Sequence, residues 1–297
     1  MTRLRLADDL DISRIVYGMW RVCDDADTSP ARVQRKIETA LACGITTIDQ
    51  ADIYGGYTAE SVLGAALRAA PQLRDRVEIV TKCGIVAPVG RHAAARIKHY
   101  DTTAAHIAES VHASLRAMAT DRIDLLLIHR PDPMIDPEET GRALDDLVAS
   151  GKVRSVGVSN FRPWDFTLLQ SAMSRLLVTN QIEISLTCTG CFTNGDLAFL
   201  QERRLPVMAW SPLGGGNLVA AAPERLRKLL ARLAADHDVD VSAIAIAWLL
   251  RHPARLVPIL GTNDPARIEK ACAALRVDLD RQAWFELYTA ALGHDVP

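Results

Sequence analysis

Eight short aliphatic or β-branched runs alternate with longer amphipathic segments in this chain, and this alternation restricts the fold more than any other feature. The runs lie at 15–18, 46–49, 77–82, 123–129, 153–159, 178–182, 206–210 and 256–260. The amphipathic segments lie at 31–43, 59–70, 102–119, 136–150, 163–175, 194–203, 224–235 and 241–251, and further helices are expected to start near Pro265 and Asp280. This pattern predicts a parallel sheet whose strands are joined by helical crossovers.

Such a sheet can close into a (β/α)8 barrel or stay open as a doubly wound sheet. Residues 125–128 are all apolar, as in a strand that is buried on both faces. The open dinucleotide-binding sheet usually carries Gly-x-Gly-x-x-Gly after its first strand, but Met19-Trp20-Arg21-Val22 follows the first run here. We therefore predict one domain, residues 1–297: an α/β (β/α)8 TIM barrel with additional helices near the C-terminus.

Charge and composition give no sign of a nucleic-acid-binding, membrane or disulfide-rich protein. A formal net charge of −2 gives no reason to expect nucleic acid or an anionic membrane as partner. No run of about 20 apolar residues predicts a spanning helix, and the first residues lack the apolar core of a signal peptide, so we expect a cytoplasmic protein. Six cysteines are too few for a disulfide scaffold. The pair Cys188 and Cys191 has a redox or metal spacing, but without a second ligand pair we favour a chance pair.

Ionisable side chains stand at the ends of three successive predicted strands. The second strand ends at Asp49 and leads to Tyr54, the third ends at Lys82 and the fourth at His129. Each alone is as easily a solvated strand end or a core residue, but the carboxyl ends of barrel strands meet at one mouth. There, Asp49 can hold Lys82 charged, and the ammonium can lower the pKa of Tyr54. His129 can orient a carbonyl while Tyr54 gives its oxygen a proton. The sequence contains no His-x-His or His-Glu-x-x-His pattern that would indicate a metal polarising the carbonyl instead.

Several motifs in register resemble the aldo-keto reductase family over nearly the whole chain. They are Asp49-Gln50-Ala51-Asp52-Ile53-Tyr54-Gly55, Thr81-Lys82, Leu126-Leu127-Ile128-His129-Arg130-Pro131-Asp132 and Gly151-Lys152-Val153-Arg154-Ser155-Val156-Gly157-Val158-Ser159-Asn160-Phe161. The chain looks nearest to a bacterial oxidoreductase branch that ends in Ala-Leu-Gly-x-Asp-Val-Pro, as residues 291–297 do. The resemblance implies NADP(H)-dependent reduction of aldehydes or ketones, with Asp49, Tyr54, Lys82 and His129 as catalytic tetrad and Tyr54 as proton donor.

The resemblance also implies a cofactor site. Ser159, Asn160 and Gln181 match residues that hydrogen-bond the nicotinamide carboxamide, and Trp210 matches a ring that stacks on the nicotinamide; its alternative is a core tryptophan. A further group matches positions around the phosphates: Ser211, Leu213, Gly214, Gly215, Gly261, Thr262 and Arg267. Glycines let backbone approach a diphosphate, unless the run is merely a flexible loop. Arg267 suits the 2′-phosphate of NADP.

Departures from the family pattern bear on cofactor and substrate. Gly261 stands where many members place a Lys for the 2′-phosphate, and Ala271 where an Asn commonly contacts adenine, so NADP is preferred but NAD stays open. Gln50 replaces a small residue behind Lys82. Trp20 either lines the substrate mouth or covers the surface. The long loop 84–100 is either a gate or a mobile connection. The short C-terminal tail favours a small carbonyl substrate.

Two other functions stay open. Lys82 can instead form a Schiff base in a lyase, although this leaves Tyr54, Ser159 and Asn160 without roles. The chain can also be a non-catalytic nicotinamide sensor, which would bind cofactor without turnover. The sequence contains no repeat or coiled coil that predicts assembly, and a monomer is what the family implies.

Overall fold

Eight parallel strands close into a barrel in the structure, a computed structural model that describes residues 3–297. The barrel strands are β3 (Val16–Gly18), β4 (Thr47–Asp49), β5 (Glu78–Cys83), β8 (Ile123–Ile128), β9 (Val153–Ser159), β10 (Leu177–Glu183), β11 (Val207–Trp210) and β12 (Leu256–Leu260). Each pairs with its neighbour in chain order, and β12 pairs with β3. The predicted barrel is confirmed, and each predicted strand agrees to within one residue at either end. Met1 and Thr2, the start of the predicted domain 1–297, lie outside the described residues.

Eleven helices occur in the described chain, most of them packed around the barrel. They are α1 (Pro30–Ala42), α2 (Ala59–Ala69), α3 (Ala104–Met118), α4 (Pro137–Ala149), α5 (Pro163–Ser171), α6 (Asp196–Glu202), α7 (Asn217–Ala220), α8 (Glu224–Asp236), α9 (Val241–Leu250), α10 (Pro265–Cys272) and α11 (Arg281–Leu292). Helix α1 begins where Ser29 Oγ accepts the Arg32 backbone N–H, with Pro30 at the first position. The additional C-terminal helices α10 and α11 are confirmed.

Strand β8 shows why these runs are apolar throughout. Leu125 and Leu127 point into the barrel, where they pack with Val80 and Met208. Leu126, between them, joins the second core between the strands and the helix layer. Both faces of the strand are therefore buried, as the uninterrupted hydrophobic pattern predicts.

Two hairpins lie outside the predicted pattern. Strands β1 (Arg3–Ala7) and β2 (Leu10–Ser13) pair antiparallel, and their Leu4, Leu6 and Ile12 join the interior core of the barrel. Strands β6 (Ile85–Val86) and β7 (His99–Tyr100) pair antiparallel within the segment expected to be a long loop. This segment is thus a hairpin anchored beside the carboxyl end of β5.

Helices α2 and α3 approach each other closely at Gly64. A Cβ atom there would lie 1.9 Å from the carbonyl oxygen of Ala117, so the residue must be glycine for the two helices to keep this distance. Across residues 3–297, no helix has both the length and the apolar character needed to cross a membrane.

Candidate active site

The four predicted catalytic side chains meet at one end of the barrel. Asp49 is the last residue of β4, Lys82 the next to last of β5, and His129 follows β8 directly. Tyr54 begins a short 3₁₀ turn, Tyr54–Gly56, after β4. The parallel strands bring the three strand ends together, and the turn folds Tyr54 back over Lys82.

Lys82 is the centre of this cluster. It is fully buried, and its ammonium donates to Asp49 Oδ2 at 2.8 Å, to the Gln50 carbonyl at 2.8 Å and to Tyr54 Oη at 2.9 Å. These bonds use all three N–H groups of the ammonium. Burial alone would lower the pKa of Lys82, but Asp49 and Tyr54 raise it above its ordinary value. Lys82 is therefore a charged, fixed hydrogen-bond donor.

Tyr54 keeps its proton at neutral pH. Burial raises the pKa of Tyr54 above 10.0, and the charge of Lys82 opposes this rise without cancelling it. Lys82 acts on the pKa of Tyr54 in the expected direction, but loss of water around the phenol outweighs the attraction of the ammonium, so the pKa is not lowered overall. Since Lys82 donates to the phenol oxygen, the O–H of Tyr54 is left to donate elsewhere.

His129 is neutral in this environment. Burial, followed by the positive charges of Lys82 and Arg130, holds the pKa of His129 well below 6.5. Its ring meets that of Tyr54 edge to face at 6.0 Å, and its Nδ1 has no partner among the described residues. A neutral imidazole beside the phenol can offer one N–H to a carbonyl oxygen.

A chain of hydrogen bonds runs from Asp49 to Trp210. The second oxygen of Asp49 accepts from Gln181 Nε2 at 2.8 Å, and the Gln181 backbone carbonyl accepts from Ser159 Oγ at 2.8 Å. Asn160 Nδ2 donates to Ser159 Oγ at 2.8 Å, and Trp210 Nε1 donates to Asn160 Oδ1 at 3.0 Å. Asn160 has a left-handed backbone, with φ 61°, a strained conformation that is common at functional sites. The predicted carboxamide residues thus form one ordered wall beside the tetrad.

This wall suits a nicotinamide in its chemistry. The side-chain N–H groups of Gln181 donate to Asp49 and to Met208 Sδ. Its side-chain oxygen, Oε1, is therefore the polar atom left to accept from a carboxamide N–H. The ring of Trp210 is half-buried, and one face lies 5.9 Å from the Arg130 guanidinium. Gln181 can therefore hold the carboxamide of a nicotinamide, and Trp210 can cover the nicotinamide ring.

The segment after β11 forms a tight turn with open space beside Gly215. Ser211 has φ 51°, and Gly214 and Gly215 also have positive φ. The Gly214 N–H donates to the Ser211 carbonyl at 2.8 Å, so this amide is engaged within the turn rather than free for a phosphate. A Cβ at Gly215 would meet nothing within 4 Å, which leaves room for a ligand beside the backbone. Leu213 packs against the outer core and supports the turn.

Gly261, Thr262 and Arg267 lie together at the end of β12 and the start of α10. Space around Gly261 is open, and Thr262 Oγ1 accepts the Asp264 backbone N–H at 3.2 Å. The Arg267 side chain is 76% exposed, and its Nε lies 3.8 Å from Asp264 Oδ2. An arginine this exposed is free to turn toward an anion, although Asp264 competes for it.

The remaining predicted residues have mixed surroundings. Trp20, just beyond β3, is 56% exposed, and the Arg21 guanidinium stacks 5.3 Å from its ring. Gln50 is buried behind Lys82, where Nε2 donates to the Ala59 carbonyl at 3.2 Å. Burial raises the pKa of Cys188 and of Cys191, the latter to about 12, so both stay thiols. Neither thiol has the lowered pKa of a redox pair.

Three charged residues near the site carry no role in the sequence interpretation. Arg130 follows His129 and has no hydrogen bond or ion pair within residues 3–297. Asp52 is buried and pairs with Arg91 of the β6–β7 hairpin at 2.9 Å. Arg130 and Asp52 lie within the motifs quoted above, and this position could have marked them as site residues. The pairing of Asp52 with Arg91, 39 residues away, cannot be predicted from the sequence.

The comparisons with known proteins agree with this geometry. The aldo/keto reductase family model matches residues 14–290. The 6-dehydroglucose reductase of Agrobacterium fabrum is 69% identical over 296 residues and is covered, like this chain, to 100%. Oxidoreductase YdhF of Escherichia coli is 44% identical over 289 residues, which are 97% of this chain and 96% of YdhF.

A solved structure shares the fold. The aldo/keto reductase from Klebsiella pneumoniae, crystallised in complex with NADP and acetate, superposes with a TM-score of 0.77 at 27% identity. The match covers 96% of this chain and 93% of that one.

Proposed function

This chain belongs to the aldo/keto reductase family of oxidoreductases, and on that premise we propose that it reduces an aldehyde carbonyl to an alcohol with NADPH as reductant and Tyr54 as general acid. The observation that carries the proposal is the hydrogen bond from the fully buried Lys82 ammonium to the partly buried Tyr54 phenol, at 2.9 Å. Enzymes of this family use nicotinamide cofactors.

Each side chain of the tetrad has a defined task in the proposed reaction. A reduced nicotinamide, when bound, supplies the hydride that adds to the carbonyl carbon. Tyr54 donates its proton to the carbonyl oxygen, and the O–H bond of the phenol breaks as the alcohol forms. Lys82 stabilises the resulting phenolate, because it stays within hydrogen-bond distance and stays charged. Asp49 holds that ammonium in place.

His129 orients the substrate in this scheme. Because it is neutral, it donates one N–H to the carbonyl oxygen without competing with Tyr54 as an acid. Lys82 is fully buried and Tyr54 and His129 are partly buried, so little water surrounds this group, which strengthens both hydrogen bonds in the transition state.

The cofactor is proposed to lie along the wall that continues from Asp49. Ser159, Asn160 and Gln181 would hold the carboxamide, and Trp210 would cover the nicotinamide ring. Ser211, Leu213, Gly214 and Gly215 would pass along the diphosphate, and Gly261, Thr262 and Arg267 would surround the adenosine phosphate. The exposed guanidinium of Arg267 favours NADPH over NADH.

For the substrate, we propose an aldehyde at C6 of a hexose, the class named for the Agrobacterium relative. A sugar presents many hydroxyl groups, and the charged residues near His129 supply matching partners. Arg130 and Lys98 both lie close enough to lower the pKa of His129, and Arg130 also acts on Glu183. Guanidinium and ammonium groups donate to hydroxyl oxygens, and a carboxylate accepts from hydroxyl protons. Trp20 is proposed to line the outer part of the same mouth.

The geometry argues against the lyase alternative. A Schiff-base lysine must be a neutral amine, and such residues have a lowered pKa. Lys82 is instead held charged by Asp49 and has no free N–H group. The sensor alternative predicts tight nicotinamide binding with negligible turnover, so it is tested by the same assay as the reductase.

The test is reduction of 6-dehydroglucose by the purified protein with NADPH or NADH, followed by loss of reduced-cofactor absorbance and by glucose formed. We expect glucose, with kcat/KM at least about tenfold higher for NADPH than for NADH. Butanal and glucose serve as comparison substrates. Tight NADPH binding without turnover of any of the three aldehydes would replace this proposal with the sensor.

We also propose a single-domain monomer that works in the cytoplasm. The six cysteines are free, as suits a reducing compartment. Light scattering after size exclusion measures the mass directly, and a dimer would refute the monomer.

A further inference from the structure

The hairpin β6–β7 is attached to the tetrad segment by an ion pair between a buried carboxylate and a partly exposed arginine. Asp52 lies between Asp49 and Tyr54 in sequence; its side chain is fully buried, and Oδ2 accepts from an Arg91 guanidinium nitrogen at 2.9 Å. The Asp52 backbone N–H donates to the Lys82 carbonyl at 3.0 Å. The carboxylate is thus fixed to the catalytic strand on one side and to the hairpin on the other.

The hairpin also packs against the turn that carries Tyr54. Tyr57 Oη donates to the Ile85 carbonyl at 3.1 Å and accepts from the Ala87 N–H at 2.9 Å. The Arg91 guanidinium lies 5.0 Å from the centre of the Tyr57 ring. A Cβ at Gly90 would lie 2.5 Å from the Gly56 carbonyl oxygen, so the two backbones touch. The tyrosine anchors the base of the hairpin, and Arg91 anchors its tip.

Asp52 is a costly residue to bury for structural purposes alone. Its Oδ1 has no hydrogen-bond partner among the described residues, and the Glu60 carboxyl lies near enough to oppose its ionisation. A buried ion pair with an incomplete set of partners contributes little to stability compared with apolar residues of similar size. A role in fixing the hairpin explains its presence better than stability does.

The consequence of fixing the hairpin lies at the substrate mouth. Lys98 directly precedes β7, whose His99 pairs with Val86 just beyond the end of β5. The last residue of β5, Cys83, accepts the His129 backbone N–H at 2.9 Å, so the base of the hairpin lies beside His129. The charge of Lys98 accordingly adds to the lowering of the pKa of His129. The position of the hairpin therefore decides how close Lys98 stands to a substrate held by His129. Arg96, on the same hairpin, is exposed and forms no ion pair within residues 3–297.

We propose that Asp52 and Arg91 are a positioning pair that holds the β6–β7 hairpin, and with it Lys98, against the hydroxyl groups of a sugar aldehyde. This inference rests on the proposed function and adds a basis for substrate selectivity. The pair does not touch the reacting atoms. Its loss weakens binding of a polyhydroxylated substrate but leaves proton transfer by Tyr54 intact.

The test compares R91Q, D52N and the control R96Q at pH 8, where Asp52 is ionised, with 6-dehydroglucose and with butanal, which has no hydroxyl groups. We expect R91Q and D52N to raise KM for 6-dehydroglucose about tenfold, with kcat within about twofold of the wild type. KM for butanal and the NADPH affinity stay unchanged, and R96Q behaves as the wild type. In a D52N background R91Q raises KM for 6-dehydroglucose no further, and R91K shows a smaller rise in KM than R91Q.

Two kinetic results would overturn the positioning role. One is an unchanged KM for 6-dehydroglucose in R91Q; the other is an equal rise in KM for both aldehydes. Limited trypsinolysis separates this failure from failure of the proposed function, because it needs no turnover. R91Q keeps the cleavage sites after Arg96 and Lys98, and a released hairpin is cut there about tenfold faster than in the wild type. Equal cleavage rates would show that Arg91 does not hold the hairpin.

Discussion

Replacing Asp49 with asparagine takes the anion away from a lysine that is completely buried. Asp49 and Lys82 are both at most 2% exposed, and their charged atoms are 2.8 Å apart. Removing one partner of such a pair typically costs about 3–5 kcal/mol, because the remaining charge stays out of water without compensation. We expect D49N to lose about that much unfolding free energy at pH 7.

The sign of the pH dependence distinguishes this explanation from simple loss of packing. In the wild type the folded-state pKa of Lys82 is raised, so its stabilisation is present below the unfolded-state pKa and is lost as pH rises through the folded value. In D49N burial prevails and the pKa falls, so the unfolded state binds more protons and stability rises with pH. The deficit of D49N should therefore shrink from about pH 7 to about pH 10.

Urea unfolding followed by tryptophan fluorescence measures this deficit at each pH, with D121N, an exposed carboxylate, as the control expected within about 0.5 kcal/mol of the wild type. The activity of D49N should fall as well, by about a hundredfold in kcat, because Lys82 is no longer held in place and kept charged by a carboxylate and so stabilises the Tyr54 phenolate less. A deficit that stays constant or grows with pH would refute the reasoning.

Three further substitutions follow from individual contacts. R267A should weaken NADPH binding about tenfold and leave NADH binding unchanged in fluorescence titrations, since the exposed guanidinium is assigned to the 2′-phosphate; equal losses would remove that assignment. G64A should cost more than about 1–3 kcal/mol of unfolding free energy, because its Cβ would lie 1.9 Å from the Ala117 carbonyl oxygen, whereas G190A, with open space, should be neutral. The free energy of unfolding of D52N, relative to that of the wild type, should rise by about 1.4 kcal/mol for each pH unit between about pH 4 and 7. Burial and Glu60 raise the folded-state pKa of Asp52 to about 7, so the wild type alone loses stability as that carboxyl ionises. Denaturation that shows no such trend would mean that Asp52 is already charged at pH 5.

The barrel could be predicted from sequence because its strands carry a pattern that only burial on both faces explains. The uninterrupted apolar residues of β8 predicted a parallel sheet covered on both faces, and the absent glycine cluster after β3 favoured the closed sheet over the open one. The convergence of Asp49, Lys82 and His129 followed from the same reasoning, since strand ends of a parallel barrel share one mouth. Local pattern and global topology agree at these positions.

The two hairpins were not predictable in the same way. In β1 the alternation Arg3-Leu4-Arg5-Leu6 covers only four residues, and nothing in it indicates that the leucines close the barrel interior. In β6 and β7 each strand has two residues, and their pairing depends on contacts with Tyr57 and Asp52 from another segment. Short pairings of this kind are set by tertiary contacts rather than by local propensity.

The pKa of Tyr54 shows the limit of reasoning from neighbouring charges alone. The sequence places an ammonium beside the phenol but does not reveal how completely both are removed from water. Burial turned out to dominate, and it leaves Tyr54 protonated and ready to donate at neutral pH.

Turnover of Y54F with NADPH and 6-dehydroglucose tests the central claim most directly. The variant loses the proton but keeps the ring that packs beside His129 and Lys82. We predict a fall in kcat of about a thousandfold, with NADPH affinity by fluorescence titration unchanged, since the Tyr54 hydroxyl hydrogen-bonds to Lys82 and not, within residues 3–297, to any residue assigned to the cofactor. Turnover close to that of the wild type would contradict the role of Tyr54 as general acid and, with it, the mechanism built on the tetrad.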